Sequence, residues 1–397
     1  MQKHDSADAL LALKDAGKHL RVAIIHDWLV VMGGAEKVLG ALLAAFPQAE
    51  LFTMVDFMPD DQRAMLAGHH IHTSMLQKLP FAKSHYRHYL PLMPYAVEQF
   101  DLRGFDLVIS SSHAVAKGVM TQPGQLHVCY CHTPMRYAWD MKETYLEDAK
   151  FRLPFMEGMV RRTLHRMRQW DYVSAGQVDH FIANSYNVSK RIKKYYRRQA
   201  SIIHPSVDLE AFDVSSEERQ EYYVAASRLV PYKRIDLVVE AFLETPWRTL
   251  VVAGDGPEYK RLLALAGNAS NIEIRGYLPG SELKRLLARA KGYIFAADED
   301  FGILPLEAQA CGTPVIAYGN GGALETVRGG ESDPEATGCF FDEQTVASLL
   351  SAIEHFESRS FSAVACRNNA AGFSQDVFWD RLHRQLAACL PTLEFKE

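Results

Sequence analysis

The chain has 397 residues, 48% hydrophobic and 23% charged, with a formal net charge of −5. That length exceeds one ordinary core and predicts two domains of roughly 150–200 residues. The acidic balance gives no global case for a nucleic-acid partner, and no apolar run reaches the roughly 20 residues of a bilayer span.

The N-terminal stretch "MQKHDSADALLALKDAGKHL" carries Asp5, Asp8 and Asp15 and has no continuous apolar segment. It reads as a short amphipathic or frayed extension rather than a signal peptide. "LRVAIIHDW" (20–28) is a buried-strand run, followed by the loop "LVVMGGAE" and the helical spacing of "KVLGALLAAF". "AELFTMV", "FDLVISSS" (105–112), "QLHVCYCHT" (125–133), "VDHFIANS" (178–185) and "ASIIHPSVD" (200–208) are further strands with helical stretches between them. The second half repeats the style. Strands are predicted at 221–227, 249–254, 271–278, 292–297 and 314–319, with helices at "IDLVVEAFLE", "PEYKRLLALAG", "GSELKRLLARA", "QTVASLLSAIEHF" and "SQDVFWDRLHRQLAACL". This alternation predicts α/β domains with parallel sheets covered on both faces. The apolar period lapses over His204–Glu218. The expected domains are 1–205 and 206–373, with 374–397 as a helix packing back on the first.

Cys129, Cys131, Cys311, Cys339, Cys366 and Cys389 form no C-x-x-C pair and no zinc pattern. Free buried thiols in a reducing, cytoplasmic compartment are expected.

Open α/β sheets bind ligands beyond the carboxyl ends of their strands, so residues that follow strands are the candidates. Gly33 and Gly34 open a helix after the first strand. Bare amides there suit an anion, although glycines at helix starts also have a plain structural use. The pair is not a G-x-G-x-x-G fingerprint, which argues against a nicotinamide enzyme. In "SRLVPYKRID" (227–236), Arg228 and Lys233 follow a strand. A guanidinium fork and an ammonium suit a diphosphate whose charge grows as its sugar ester breaks; solvated surface charges are the plainer reading. In "EDFGILPLE" (299–307), Gly302 and Ile303 start a helix with unpaired amides. Glu299 precedes it and Glu307 lies about a turn inside. A carboxylate can accept both hydroxyls of a vicinal diol, so two carboxylates suit a sugar and a ribose; an acidic helix start is the alternative. His132 ends a first-half strand, where it either packs structurally or contacts a transferred sugar.

Taken together, these elements resemble the retaining glycosyltransferases of family 4, which have the GT-B fold of two Rossmann-like domains facing across a cleft. The resemblance spans "AIIHDW" to "DVFWDRL". It implies that Arg228 and Lys233 hold the donor diphosphate and stabilise the leaving nucleotide, and that Gly33 and Gly34 assist phosphate binding. It implies that Glu299 and the amides around Phe301, Gly302 and Ile303 bind the donor sugar, that Glu307 binds the ribose, and that Gly276, Tyr277 and Leu278 meet the base. His132, Arg228, Lys233 and Glu299 are the implied catalytic set. No metal and no cofactor are implied beyond the nucleotide-sugar donor, and no Asp-x-Asp motif marks a metal-dependent enzyme. Retention would follow a front-face route in which the leaving phosphate takes the acceptor proton.

"HDWLVVMGGAEKVL", "CHTPMRYAWD" and "SRLVPYKRIDLVVEAF" look like bacterial mannosyltransferases of O-antigen, lipopolysaccharide and exopolysaccharide assembly. That implies GDP-mannose as donor and a polyprenyl-diphosphate-linked glycan as acceptor. The basic, aromatic stretches 161–170 and 190–198 suit the cytoplasmic face of an anionic inner membrane, or are solvated helix faces. "LPFAKSHYRHYLPLMPYAVEQF" (79–100) either shapes an acceptor pocket or packs as a loop. Rival readings are a UDP-sugar-dependent family 4 transferase, a nucleotide-sugar epimerase of similar architecture, and a nucleotide-sugar-binding scaffold without turnover.

Overall fold

In a computed structural model of the chain, residues 4–141, 143, 154–212, 219–330 and 333–390 are described. Of the segment 204–218 where the apolar period lapses, 213–218 lie outside them. The chain forms two units, Met1–Pro205 with Asp376–Glu397, and Ser206–Gln375.

The first unit is built on seven strands: β1 (Val22–His26), β2 (Glu50–Thr53), β3 (Ile71–Thr73), β4 (Leu107–Ser112), β5 (Leu126–Cys131), β6 (His180–Ala183) and β7 (Ala200–Ile202). All pair in parallel, in the order β3-β2-β1-β4-β5-β6-β7. β1, β4 and β5 are buried along their whole length, as central strands covered on both faces must be. One face packs Ile24, Leu42, Leu107 and Ile182 with Leu13 from the helix His4–Gly17, which is thereby seated on the core. The helix Gln375–Cys389 adds Phe378, Leu382, Leu386 and Cys389 to that same core.

The second unit has six strands: β8 (Gln220–Ala226), β9 (Thr249–Ala253), β10 (Ile272–Ile274), β11 (Ala290–Phe295), β12 (Val315–Tyr318) and β13 (Gly338–Phe341). Their order is β10-β9-β8-β11-β12-β13, again all parallel. In both sheets the winding reverses beside the first strand, between β1 and β4 and between β8 and β11. Doubly wound sheets open a crevice at that reversal.

The basic stretches do not present the aromatic surface expected of them. In the helix Pro154–Ser174, Leu164, Met167, Asp171 and Ser174 recur at helical spacing and are buried. Trp170 donates to Glu98 Oε1 at 2.8 Å, and its ring lies where a Cβ on Gly118 would approach within 2.3 Å. Tyr195 stacks on Trp139 at 4.6 Å, and Tyr196 is buried with its hydroxyl on Asp171 at 2.9 Å. The same Asp171 pairs with buried Lys117 and accepts from Trp139 Nε1 at 2.7 Å. The apolar members of 161–170 and 190–198 thus serve the interior, and exposed Arg162, Arg166, Lys190, Lys193 and Lys194 remain outside. Segment 79–100 is helical rather than a loop: helices Ala82–His85 and Met93–Glu98 flank a 3-10 stretch, Tyr86–Leu92. Tyr86, Met93, Ala96 and Val97 join the core, and Ala82 is buried as well.

Candidate functional site

In the second unit the candidate residues gather at the β8–β11 reversal. β8 ends at Ala226, and the loop beyond it is fixed by Ser227 N–H to Ala253 O (3.1 Å) and Leu229 N–H to Asp255 O (2.9 Å). Gly254 and Gly256 permit this closeness: both have positive φ, and a Cβ on either would meet the carbonyl oxygen of Ser227 at 1.8 Å or of Leu229 at 2.3 Å. Arg228 is thereby held out. It is exposed, and its guanidinium has no partner among the described residues. Lys233 ends a short turn begun by Pro231 and is ion-paired to Glu299, their side chains only 15% and 19% exposed.

Glu299 sits on the loop after β11. Its carbonyl accepts the Gly322 amide at 2.8 Å, and a Cβ on Gly322 would lie 2.2 Å from the Phe301 Cα. Gly321 and Gly322 are therefore what lets the loop 299–301 lie flat. Phe301 is buried against Phe373, with ring centroids 5.8 Å apart, which anchors the loop from below. Gly302 (φ 86°) then turns the chain into the helix Ile303–Ala310. The amides of Gly302 and Ile303 find no acceptor among the described residues, as the first amides of a helix do without a cap. Glu307 is buried in that helix, and its charge adds to the burial that pushes the Tyr293 hydroxyl up. On the β9–β10 side, Gly276 (φ 69°) gives its carbonyl to the Gly254 amide at 2.7 Å; Tyr277 is 73% exposed and Leu278 half-buried. Arg228, Lys233, Glu299 and the 301–303 amides share one strand-end region of a single unit, and Lys233 contacts Glu299 directly.

In the first unit the β1–β4 reversal holds a polar cluster. β1 and β4 align His26 with Ser111, and β5 runs alongside into His132. His26 Nδ1 lies 3.1 Å from Ser111 Oγ, which lies 2.8 Å from His132 Nε2. His26 Nε2 faces Glu36 Oε1 at 3.6 Å. Glu36 belongs to the helix Gly34–Ala45, capped by extended Gly33. A Cβ on Gly33 would come within 2.9 Å of Glu36 Oε2, so this glycine makes room for that carboxylate as well as offering its amide.

Asp27 escaped the sequence reading. Its fully buried carboxylate accepts four backbone amides, His113, Ala114, Val115 and Ala116, at 2.6–2.9 Å, and pairs with His113 Nδ1 at 3.0 Å. Burial alone would raise its pKa; the charge and hydrogen bonds of His113 outweigh burial and hold the carboxyl far below the usual range. His113 responds in kind: burial lowers its pKa, and the Asp27 charge more than restores it. Burial first, then the charge of nearby His113, push His132 well below its ordinary value, so the ring is neutral. "HDW" directly after a buried strand was the available signal, but its partners lie 86–89 residues away.

All six cysteines are buried thiols outside any disulfide, and burial pushes those of Cys339 and Cys366 up to about 12. Among the described residues no group of three acidic, His or Cys side chains is arranged to hold a metal, and no helix is long and apolar enough to cross a membrane.

Residues 206–373 match the family Glycosyl transferases group 1, and residues 32–211 match Glycosyltransferase Family 4. The chain is similar to D-inositol 3-phosphate glycosyltransferase of Mycobacterium marinum, 31% identical over 194 residues, 43% of this chain and 41% of the relative. It is also similar to a GDP-mannose-dependent alpha-(1-6)-phosphatidylinositol monomannoside mannosyltransferase of Mycolicibacterium smegmatis, 30% identical over 202 residues, 42% of this chain and 53% of the relative. The matched regions thus span about half the length of these curated relatives. Among solved structures, Anabaena Alr3699/HepE in complex with UDP superposes with a TM-score of 0.67 at 17% identity, over 94% of this chain and 100% of the other, a likeness of fold. With the two parallel sheets described above, these matches identify the chain as a family 4 glycosyltransferase domain followed by a group 1 glycosyltransferase domain, built on the GT-B fold.

Proposed function

We propose that the chain is a retaining glycosyltransferase that moves mannose from GDP-mannose to a glycan acceptor carried on a polyprenyl diphosphate, in bacterial surface-polysaccharide assembly. The observation that carries the donor side is the pairing of unpartnered, exposed Arg228 with Lys233, itself pre-set against Glu299, at the sheet reversal of the second unit. A bound diphosphate gains charge as its sugar ester bond breaks, and two cations held by a rigid loop stabilise that charge without a metal. Glu299 and the amides of Gly302 and Ile303 then take the sugar hydroxyls, buried Glu307 the ribose, and exposed Tyr277 the base. Among these groups no carboxylate is assigned as a nucleophile, so the departing phosphate oxygen receives the acceptor proton on the same face. The printed name of one relative favours GDP-mannose. The UDP of solved neighbours keeps a UDP-sugar reading open.

The test is thermal stabilisation by GDP, UDP and ADP without added metal, since a ligand of the native state raises stability by mass action. GDP is expected to raise Tm selectively, and Glu307→Ala to abolish the shift. A selective UDP shift keeps the fold and overturns the mannose donor. No shift with any nucleotide overturns the donor site. Incubation with donor alone, followed by product analysis, separates out an epimerase.

For the acceptor side, the surface best suited to a membrane is 74–97. It contains no acidic residue, it carries Lys78, Lys83 and Arg87, and it exposes Met75, Phe81, Leu92 and Tyr95. Phe81 is 78% exposed at φ 56°, a conformation that costs a non-glycine residue about 1 kcal/mol. Basic residues among exposed aromatics match an anionic bilayer surface. The protein is expected to sediment with phosphatidylglycerol vesicles but not with phosphatidylcholine vesicles, and Phe81→Ser with Leu92→Ser to lose most of the bound fraction. Equal sedimentation with both lipids, or no effect of the double variant, rules this surface out.

A further inference from the structure

We infer that Glu36, by its charge, orients a His26–Ser111 hydrogen-bond chain that fixes His132 with its proton on Nε2 and its lone pair on Nδ1, so that His132 meets a ligand as an acceptor. Each link has one arrangement compatible with the next. The Glu36 carboxylate can only attract a donor, and the His26 nitrogen nearest to it is Nε2, at 3.6 Å. That is longer than a formed hydrogen bond, yet a lone pair turned toward the carboxylate there is repelled and an N–H is attracted. In the proposed chain the His26 ring carries one proton, drawn to Nε2 by that carboxylate, which leaves Nδ1 a lone pair. Ser111 Oγ lies 3.1 Å from that nitrogen and must therefore donate to it. A serine hydroxyl has one proton. Once it is spent on His26, the Ser111 oxygen can only accept from His132 Nε2 at 2.8 Å. His132 is neutral, so its single proton is then committed inward and Nδ1 carries the lone pair.

Three features keep this chain ordered. His26 and Ser111 are fully buried, so water does not compete for either link. Gly33 leaves the space that Glu36 Oε2 occupies. His113, clamped by Asp27, stands with its ring centroid 6.3 Å from both the His26 and the His132 rings, and its charge opposes a second proton on His132. His132 Nδ1 makes no hydrogen bond among the described residues, and the residue keeps 9% of its surface exposed. A neutral acceptor nitrogen there fits a sugar hydroxyl rather than an anionic phosphate. Glu36, His26 and Ser111 are positioning residues in this scheme: they touch no substrate and act only through His132.

The functional half rests on the transferase reading above; the tautomer does not, and the two are tested separately. Long-range proton–nitrogen correlation spectra of the full chain labelled with 15N-histidine, assigned with His132→Gln, report which ring nitrogen is protonated. The expected result is a pyridine-type Nδ1 and a protonated Nε2 at His132, lost in Ser111→Ala and mixed in Glu36→Gln. A protonated Nδ1 in the unaltered chain overturns the relay. So does a doubly protonated His26, because Ser111 must then donate to His132. So does a His132 signal that Ser111→Ala leaves unchanged. With the tautomer established, Ser111→Ala is expected to lower kcat by roughly tenfold or more with little change in donor KM, as misorientation of a contacting group does, and Ser111→Thr to restore it. Normal turnover in His132→Ala would refute the contact between His132 and the sugar while leaving the tautomer result intact.

Discussion

Lys233→Ala is expected to lower kcat by about 10²–10³-fold, the cost of removing one preorganised donor from a developing anion, about 3–4 kcal/mol. The expectation comes from geometry. Lys233 is not a tethered surface charge: Glu299 holds it, and both side chains are mostly covered. It therefore costs little reorganisation when a diphosphate arrives. Arg228, with no partner among the described residues, is free to wrap a phosphate from the other side. Arg228→Ala should also slow transfer, and the double variant should fall short of the product of the two losses, because in the proposed function both serve one anion. Lys233→Arg keeps the charge but not the compact ammonium and is expected to restore only part of the rate. Steady-state kinetics on the four variants decides the matter. A Lys233→Ala enzyme within twofold of the unaltered kcat would show that the pair with Glu299 is structural and that the diphosphate sits elsewhere.

Asp27→Asn is expected to destabilise the protein by about 3–5 kcal/mol, as loss of one partner from a buried charged pair does. The amide that replaces one carboxylate oxygen would point N–H groups at backbone N–H groups of residues 113–116. The pH dependence has two signs. Asp27 has a depressed folded pKa, so its contribution is present above the unfolded value near 3.9 and is lost only as pH falls through the lower folded value. His113 has a raised folded pKa, so its contribution is complete below about 6.5 and is lost as pH rises through the folded value. The stability gap between the two proteins should be widest between about pH 4 and 6.5 and should narrow in alkali. Urea unfolding at pH 5, 7 and 9 measures it. A gap that is flat with pH, or below 1 kcal/mol throughout, contradicts the account.

The α/β class and the central strands were legible in the sequence because "VAIIH", "LVISSS" and "TLVVA" are short apolar runs rich in β-branched residues. β3 and β13 were not. "IHT" is a three-residue edge strand with no fully buried position, and "GCFF" is four residues that begin with a glycine. The helix Ala363–Ala371 also went unseen, since "AVACRNNAA" has almost no apolar periodicity. The second-unit candidates stood out in the sequence because they follow strands, in short motifs such as Arg228 with Lys233 and Glu299 with Glu307. The first-unit cluster was found only in part. His132 stood at a strand end, but Asp27, Ser111 and Glu36 matter through partners on other elements, and no spacing rule reports a hydrogen bond across β1 and β4. The basic segments misled for a related reason. Composition shows that Trp170 and Tyr196 accompany arginines and lysines, whereas the helical period decides which of them face the interior.

The second unit interrupts the first. Phe378, Leu382 and Leu386 complete a core begun by Leu13, Ile24 and Leu42, yet they follow Ser206–Gln375 in the chain. On a ribosome adding about 5–20 residues per second, the first unit waits roughly 10–30 s for its last helix. During that interval the groove awaiting the helix exposes apolar side chains to the cell, while the inserted unit has all its own residues and can fold. The nascent first unit is thus a natural client for chaperones, and damage near Phe378 should appear as poor yield rather than as an altered reaction.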